Sequence, residues 1–279
     1  MADDGGKARE EARMRAVSAV LIFWIGYVAV IVSVGFATTT ALGAGLPQLI
    51  VWGFASSILL LALGRFVRRT EGTVPTDRAS RSPGAGLGLF VLGLLLGAGS
   101  FGIHVLVVAN TGRAIGFARV PDVGAMTVVL FLIRFLATSC MEELGFRGYA
   151  LQRLEPAVGP VGAVIITAIA FGLSHLLYGW DLRTIFVGVI PAGMLWGMSA
   201  LATRGLAVPI GLHAAWNFAG WAVGSRAETG LLQMTVDGAA VEASRTVGTA
   251  SYLTVFGVLT LAFWLAYRRR AHAARDAEA

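Results

Sequence analysis

Two adjacent glutamates and an arginine interrupt a long apolar stretch in the middle of the chain. The run Thr138-Ser-Cys-Met-Glu-Glu-Leu-Gly-Phe-Arg-Gly-Tyr149 places Glu142 beside Glu143, with Arg147 four positions after Glu143. Residues four apart meet on one face of a helix, so Arg147 can neutralise Glu143 through a charge-assisted hydrogen bond. Glu142 then points about 100° away round the helix and can face a cavity, where a carboxylate can act as a general base.

Two later apolar stretches add polar side chains at helical spacing. His175 ends the run Phe171-Gly-Leu-Ser-His175, and His213 precedes Asn217 by four positions, which puts the imidazole and the carboxamide on one face of a helix. The remaining histidines, His104 and His272, have no partner at a useful spacing. We therefore take three short motifs as the candidate site.

Each of these motifs also has a purely structural explanation. The glutamate pair could sit in a solvated turn where a helix leaves the membrane, and a histidine or asparagine in a membrane helix can be a hydrogen-bonding strut between helices. Arg134, eight positions before Glu142 and about 80° away round the helix, fits a structural role. The motifs fall on three apolar segments within one part of the chain, however, and an ionisable group at the bilayer centre costs at least about 2.5–3.5 kcal/mol. That concentration favours a functional site.

The elements that carry these motifs must be membrane helices. Hydrophobic residues form 56% and charged residues 14% of the 279 residues, and the mean hydropathy is +0.74. A membrane helix needs about 20 mainly apolar residues. On that length the sequence predicts an all-α, polytopic membrane helix bundle of about eight transmembrane helices, near residues 16–37, 46–63, 86–108, 125–151, 158–176, 184–202, 206–223 and 251–267.

Charge and cysteine content exclude several classes of function. The net charge is +6, but the arginines flank apolar segments, where they act as topology signals, so we do not expect nucleic acid as a partner. The single cysteine, Cys140, excludes an internal disulfide framework and a cysteine-based zinc cluster. We expect Cys140 to be a small packing residue.

The distribution of basic residues predicts the topology and the domain organisation. Lysine and arginine cluster at 7–15, 65–81 and 268–275, whereas single arginines such as Arg113 and Arg226 fall on the opposite side. The positive-inside rule then places both termini in the cytoplasm of a multi-pass protein of the cell membrane. We predict a cytoplasmic tail at 1–15, a membrane domain at 16–267 with a catalytic core at 125–222, a cytoplasmic tail at 268–279, and a cavity that opens on the cytoplasmic side.

The three motifs resemble those of the CAAX protease and bacteriocin-processing family of membrane proteins. The matching patterns are Glu142-Glu143-x-x-x-Arg147, Phe171-x-x-x-His175 and His213-x-x-x-Asn217, in this order along the chain. The resemblance implies an intramembrane glutamate-type endopeptidase, a hydrolase in which Glu142 and His175 activate water and His213 and Asn217 bind the oxyanion. Glu143 and Arg147 would support the site.

The resemblance implies a metal-free mechanism and a membrane-associated or lipid-modified peptide as substrate. Two histidines and a glutamate are also a common zinc set, but the His-Glu-x-x-His motif of zinc proteases is absent from the sequence. We expect no cofactor, with zinc as the minor alternative. Two other functions remain open: a non-catalytic scaffold or bacteriocin-immunity protein of the same fold, and a transporter that relays protons through buried carboxylates and histidines.

Overall fold

The chain forms a bundle of long helices. The computed structural model describes residues 4–72, 83–112, 115–121, 123–226 and 229–277. In these ranges the α-helices are α1 (Asp4–Leu42), α2 (Leu46–Thr70), α3 (Pro83–Gly112), α4 (Ala125–Glu143), α5 (Tyr149–Ser174), the single turn α6 (Leu182–Thr184), α7 (Ile190–Thr203), α8 (Ala207–Ala222) and α9 (Val241–Asp276). The predicted tails are largely helical, because α1 begins at Asp4 and α9 ends at Asp276.

The predicted all-α, polytopic membrane bundle is confirmed, but the count of eight spans is not. Six helical segments within the described ranges are long and apolar enough to cross a membrane. Residues 125–178 count as one segment, since helical structure continues from α4 through α5 despite a break at Gly159, where φ is 77°. Helix α8 has only 16 residues, fewer than the roughly 17–25 that a span requires. The eight predicted apolar stretches nevertheless all overlap helices.

Polar contacts gather the arginine-rich helix termini at one end of the bundle. Arg153, early in α5, pairs with Glu71 just after α2, with 2.9 Å between Nε and Oε1. Arg270 in α9 donates to the carbonyl oxygen of Ala202 near the end of α7. We call this the arginine-rich end, and it includes Arg15, Arg68, Arg153, Arg204 and Arg270. Of the arginines used to predict the topology, Arg78, Arg81 and Arg113 lie outside the described residues.

A short antiparallel ribbon closes the opposite end, which the sequence did not predict. Strand β1 (Ile115–Arg119) follows α3, and strand β2 (Leu232–Val236) follows α8, with Phe117 opposite Met234. The ribbon joins the connection between α3 and α4 to the connection between α8 and α9. It therefore links two parts of the chain that are more than a hundred residues apart.

Glycines allow α3 and α8 to pack with their backbones in close approach. A Cβ at Gly97 would lie 2.5 Å from the carbonyl oxygen of Leu212, and one at Gly93 would lie 2.4 Å from that of Val208. From the other side, a Cβ at Gly211 would lie 2.4 Å from the carbonyl oxygen of Phe90. Small residues that bring helices together are characteristic of membrane bundles. This contact positions α8, which carries His213.

Gly97→Ala is expected to destabilise the bundle, because the new methyl group would overlap backbone atoms of α8. Overpacking of this kind costs about 1–3 kcal/mol, which thermal unfolding in detergent micelles would record as a lower midpoint. Gly99→Ala is the matched control, because a Cβ at Gly99 in the same helix has open space around it. Equal midpoints for the two variants would contradict this account of the α3–α8 contact.

Candidate active site

A cavity of about 370 Å³ lies between the helices and brings the four predicted catalytic residues together. Glu142 reaches it from α4, His175 from the turn after α5, and His213 with Asn217 from α8. Eight aromatic side chains complete much of the wall, namely Trp52, Phe135, Phe171, Tyr178, Trp180, Trp196, Trp216 and Tyr252. The cavity is thus a small polar site inside a largely apolar bundle.

His213 contacts both glutamates at the inner part of the cavity. Its Nδ1 lies 3.0 Å from Glu143 Oε1, and its Nε2 lies 3.4 Å from Glu142 Oε2. The Glu143 side chain is fully buried, whereas that of Glu142 is 15% exposed. A carboxylate only accepts hydrogen bonds, so Nδ1 of His213 is the donor to Glu143. The ring of His213 is further fixed by stacking on Trp196, with centroids 3.8 Å apart and planes 12° apart.

Arg147 is buried behind the cavity as the partner of Glu143. Its Nη1 lies 3.3 Å from Glu143 Oε1, the contact expected from the spacing of the two residues. Its Nη2 donates to the carbonyl oxygen of Gly193 in α7 at 2.9 Å, and its guanidinium lies 4.5 Å from the ring centroid of Phe171. Buried charges require partners of this kind. Arg147 thereby connects the glutamate pair to α5 and α7.

His175 lies across the same cavity and contacts its own helix rather than Glu142. Its Nδ1 lies 2.9 Å from the carbonyl oxygen of Phe171, so Nδ1 carries the proton and Nε2 is left as an acceptor. The contact of the Glu142 carboxylate across the helices is with His213. Spacing along single helices could not predict this, because it depends on how α8 packs against α4.

Asn217 is held by an arginine that follows α8. Arg226 Nη2 donates to Asn217 Oδ1 at 2.5 Å. The carboxamide oxygen of Asn217 therefore accepts from Arg226, and the NH₂ group of Asn217 is the donor of this side chain. Arg226 and Arg134 both line the cavity. In the sequence, Arg226 is one of the arginines that predict the topology, and Trp196 lies outside the three motifs. Neither residue stands at helical spacing from a motif residue, so no local pattern could have identified them.

The helices depart from α geometry where they carry the site. A π-helical turn, Leu144–Gly148, follows Glu143 directly, and a second one, Ile185–Val189, precedes α7. A 3₁₀ turn, His175–Tyr178, follows α5. Such turns within helices are frequent at functional sites. Here the last two turns contain residues that line the cavity, and the first begins two residues after Glu142.

The first π-helical turn is supported from α1. A Cβ at Gly145 would lie 2.5 Å from the ring of Tyr27, so only a glycine lets the two segments meet this closely. Trp24 Nε1 also donates to the carbonyl oxygen of Gly145 at 3.3 Å. Helix α1 carries no motif residue, yet its side chains contact the turn that contains Arg147.

Asp181 caps the helical turn that precedes α7, and it lies outside the membrane-spanning segments. Asp181 accepts hydrogen bonds from the Thr184 hydroxyl at 2.5 Å and from the Thr184 amide at 2.9 Å. These bonds stabilise the ionised form and lower the pKa of the Asp181 carboxyl. Thr184 lines the cavity, so the cap helps to fix one part of its rim.

The cavity extends from the middle of the bundle toward the end opposite the arginine-rich one. Trp180, Thr184 and Arg226, which line it, lie in or beside the connections at that opposite end. If the arginine-rich end faces the cytoplasm, the cavity reaches toward the other side of the membrane. The cytoplasmic opening of the cavity stays a prediction, because it depends on the orientation of the chain across the bilayer.

The described residues contain no group of three histidine, cysteine, aspartate or glutamate side chains arranged to hold a metal ion. Glu143 Oε1, which would otherwise be a ligand beside Glu142, is engaged by Arg147 and His213. The described side chains of the site can therefore contribute hydrogen bonds and charge, and chelation of the purified protein tests whether a metal is required.

Comparison with known proteins finds a family match over the segment that carries this site. Residues 124–219 match the family described as type II CAAX prenyl endopeptidase Rce1-like. A search of curated proteins found no match. The matched segment contains all six predicted site residues, at 142, 143, 147, 175, 213 and 217, which confirms the resemblance found in the sequence. Over residues 124–219, which carry the whole candidate site, the chain is similar to the Rce1-like family of CAAX-type membrane proteins.

Proposed function

We propose that the protein is an intramembrane endopeptidase that hydrolyses a peptide bond of a membrane-associated or lipid-modified peptide. One observation carries this proposal: Glu142 faces the cavity, and its Oε2 lies 3.4 Å from His213 Nε2. Among the described residues that line the cavity, Glu142 is the one with a carboxylate. A general base must reach the proton that it takes, and Glu142 is placed to do so.

In the proposed mechanism, Glu142 and His175 activate a water molecule between them. The proton of the water passes to Glu142 while the oxygen forms a bond to the carbonyl carbon of the substrate. In this step His213 carries a proton on each ring nitrogen, so that Nδ1 donates to Glu143 and Nε2 donates to the negative oxygen of the tetrahedral intermediate. The NH₂ group of Asn217 is the second donor to that oxygen, and donors in a water-poor site stabilise it strongly. The carbon–nitrogen bond then breaks, and Glu142 returns the proton to the leaving amine.

Glu143 and Arg147 act as positioning residues in this proposal. Glu143 accepts the Nδ1 proton of His213 at 3.0 Å, which fixes the orientation of the imidazole. Arg147 neutralises Glu143 at 3.3 Å and so leaves Glu142 as the carboxylate that handles protons. Support from such second partners is how active sites hold their reacting groups in place.

The membrane environment and the partners follow from the same features. The chain is a multi-pass membrane protein with six candidate spans among its described residues, so a lipid bilayer surrounds the site. We infer from the distribution of arginines that the protein spans the cell membrane with both termini in the cytoplasm. The partner is a membrane-associated peptide or protein substrate, and nucleic acid is not expected.

Hydrolysis can be tested directly with the purified protein in lipid nanodiscs and a synthetic peptide that carries an S-farnesyl cysteine near its C-terminus. In H₂¹⁸O, we expect mass spectrometry to find one ¹⁸O atom in the new carboxylate of the N-terminal product. Intact peptide after prolonged incubation with folded protein, for a panel of farnesylated and acylated peptides, would contradict the proposal.

The same assay distinguishes a metal-free mechanism from a zinc-dependent one. We expect cleavage to continue after treatment with EDTA or 1,10-phenanthroline, since the proposed steps use only protein side chains and water. Stoichiometric zinc in the purified protein, together with loss of cleavage on chelation and its return on adding zinc, would show that the metal-free mechanism is wrong.

A further inference from the structure

A second cavity, of about 380 Å³, adjoins the catalytic cavity between α9 and the helical segment that precedes α7. On one side its lining includes Arg183 and Val187, and on the other side it includes Arg245, Gly248 and Thr249 of α9. Positions 245, 248, 249 and 252 are three or four residues apart, so they lie on one face of α9. We call this cavity the side vestibule.

The side vestibule and the catalytic cavity share a partition. Thr184, Gly188 and Tyr252 line both cavities, so these residues lie between them. The Tyr252 hydroxyl donates to the carbonyl oxygen of Gly188 at 2.5 Å and thereby joins α9 to the turn before α7. A Cβ at Gly188 would have no atom within 4 Å, so open space borders the backbone at this point. The partition therefore consists of a hydrogen bond beside open space.

Aromatic contacts position the Tyr252 ring at this partition. The ring centroids of His104 in α3 and Trp216 in α8 lie 6.4 and 5.7 Å from that of Tyr252. His104 also lines the side vestibule, and its Nδ1 lies 3.2 Å from Ser251 Oγ in α9. The histidine that had no partner at helical spacing in the sequence thus has one across helices, and it supports the ring of Tyr252.

The polar groups of the partition match the main chain of a peptide. Each peptide unit has an N–H donor and a carbonyl acceptor, and in an extended chain inside a membrane protein both need partners. When the bond between Tyr252 and Gly188 opens, the Gly188 carbonyl oxygen can accept from a substrate N–H, and the Tyr252 hydroxyl can donate to a substrate carbonyl. One hydrogen bond is then exchanged for two. A hydrocarbon chain has neither donor nor acceptor, so these groups favour a peptide over a lipid tail.

We propose that the side vestibule binds the main chain of the substrate next to the scissile bond, and that the chain crosses from one cavity to the other between Tyr252 and Gly188. This inference rests on the proposed endopeptidase function and adds a binding site for the flanking part of the substrate. The substrate lies extended, with the bond to be cut at Glu142 and the adjoining residues against α9. Helix α9, which carries none of the three sequence motifs, therefore contributes to the choice of substrate.

Photo-crosslinking in the full-length Glu142→Gln variant tests occupancy of the side vestibule without requiring cleavage. The photo-reactive residue p-benzoylphenylalanine replaces Arg245, whose side chain is 53% exposed at the rim, and the probe is the S-farnesyl peptide with a biotin label, in nanodiscs. We expect an adduct that saturates with peptide concentration and that mass spectrometry assigns to amino-acid residues of the peptide. The same replacement of Leu261 is the control, because Leu261 is 56% exposed in α9 and lines neither cavity. Equal adduct yields at the two positions, or an adduct on the farnesyl group, would overturn the inference.

A bulky residue in the side vestibule tests its contribution to substrate affinity. In the otherwise wild-type protein, Thr249→Trp is expected to raise KM for peptide hydrolysis about tenfold or more. We expect little change in kcat, because the substitution removes binding without altering the groups around Glu142. Leu261→Trp adds similar bulk to an exposed position of the same helix and should leave both constants unchanged. An unchanged KM for a Thr249→Trp protein with a normal thermal midpoint would contradict the inference, and the crosslinking result does not require this variant to fold.

Cleavage by the wild-type protein separates this inference from the proposed function. Hydrolysis that depends on Glu142, without a peptide adduct at position 245, would refute the role of the side vestibule and leave the endopeptidase intact. A saturable peptide adduct at position 245 without any hydrolysis by the wild-type protein would support the binding site and refute the endopeptidase. Neither adduct nor hydrolysis would refute both.

Discussion

Glu142→Gln is expected to reduce kcat for peptide hydrolysis by about 10²- to 10⁴-fold, the contribution of a positioned general base. Glutamine retains the size of the side chain and can still hydrogen-bond to His213, which lies 3.4 Å from the carboxylate in the wild-type protein. It cannot accept the proton of water, however, so the chemical step is lost. The measurement is steady-state cleavage of the farnesylated peptide, with expression level and thermal midpoint recorded in parallel.

Glu242→Gln is the control for the loss of one negative charge. Glu242 is 80% exposed in α9 and pairs with Arg245 away from the catalytic cavity, so its replacement should leave kcat and KM unchanged. A non-catalytic scaffold or immunity protein predicts a different result, in which Glu142→Gln retains the biological phenotype. Full peptide hydrolysis by a well-folded Glu142→Gln protein would exclude Glu142 as the base.

Arg147→Met is expected to lower the free energy of unfolding by about 3–5 kcal/mol, because it leaves a buried carboxylate without its charged partner. The side chains of Arg147 and Glu143 are both fully buried, and Arg147 also donates to the carbonyl oxygen of Gly193. Unfolding in mixed micelles with increasing dodecyl sulfate, followed by circular dichroism, would measure the change.

Two further variants show whether the loss comes from the uncompensated charge. Glu143→Gln combined with Arg147→Met removes both charges while keeping an acceptor for His213, and we expect it to recover part of the lost stability. Arg153→Met breaks the partly exposed pair with Glu71, whose side chains are 23% and 18% exposed, and should cost less than about 1 kcal/mol. Similar losses for Arg147→Met and Arg153→Met would contradict the assignment of a buried structural pair.

The sequence predicted the features of the protein that depend on single helices. Composition and apolar length identified a membrane bundle, and helical spacing correctly paired Glu143 with Arg147. The four predicted catalytic residues do line one cavity, which the concentration of polar residues in neighbouring segments suggested. Their individual catalytic roles remain predictions.

Features that depend on contacts between helices could not be read from the sequence. The contact of Glu142 with His213 requires α8 to pack against α4. The end of the bundle toward which the cavity extends depends on the directions of all the helices around it. The sequence predicted about eight spans, whereas the described residues contain six candidates, because α4 and α5 are joined by a helical turn and α8 is short. Arg226 was missed as a cavity residue because it follows the end of a helix, where no periodicity applies.

Because a π-helical turn lies between Glu143 and Tyr149, the geometry of the site depends on the exact number of residues in this segment. A π turn holds one residue more than an α turn, so the helix contains an extra residue here without losing the register of α5. Deleting one residue would narrow the turn to α geometry and shift Arg147 relative to Glu143 and the carbonyl oxygen of Gly193. Insertions and deletions among distant relatives should therefore collect in the connections between helices and be excluded from Leu144–Gly148.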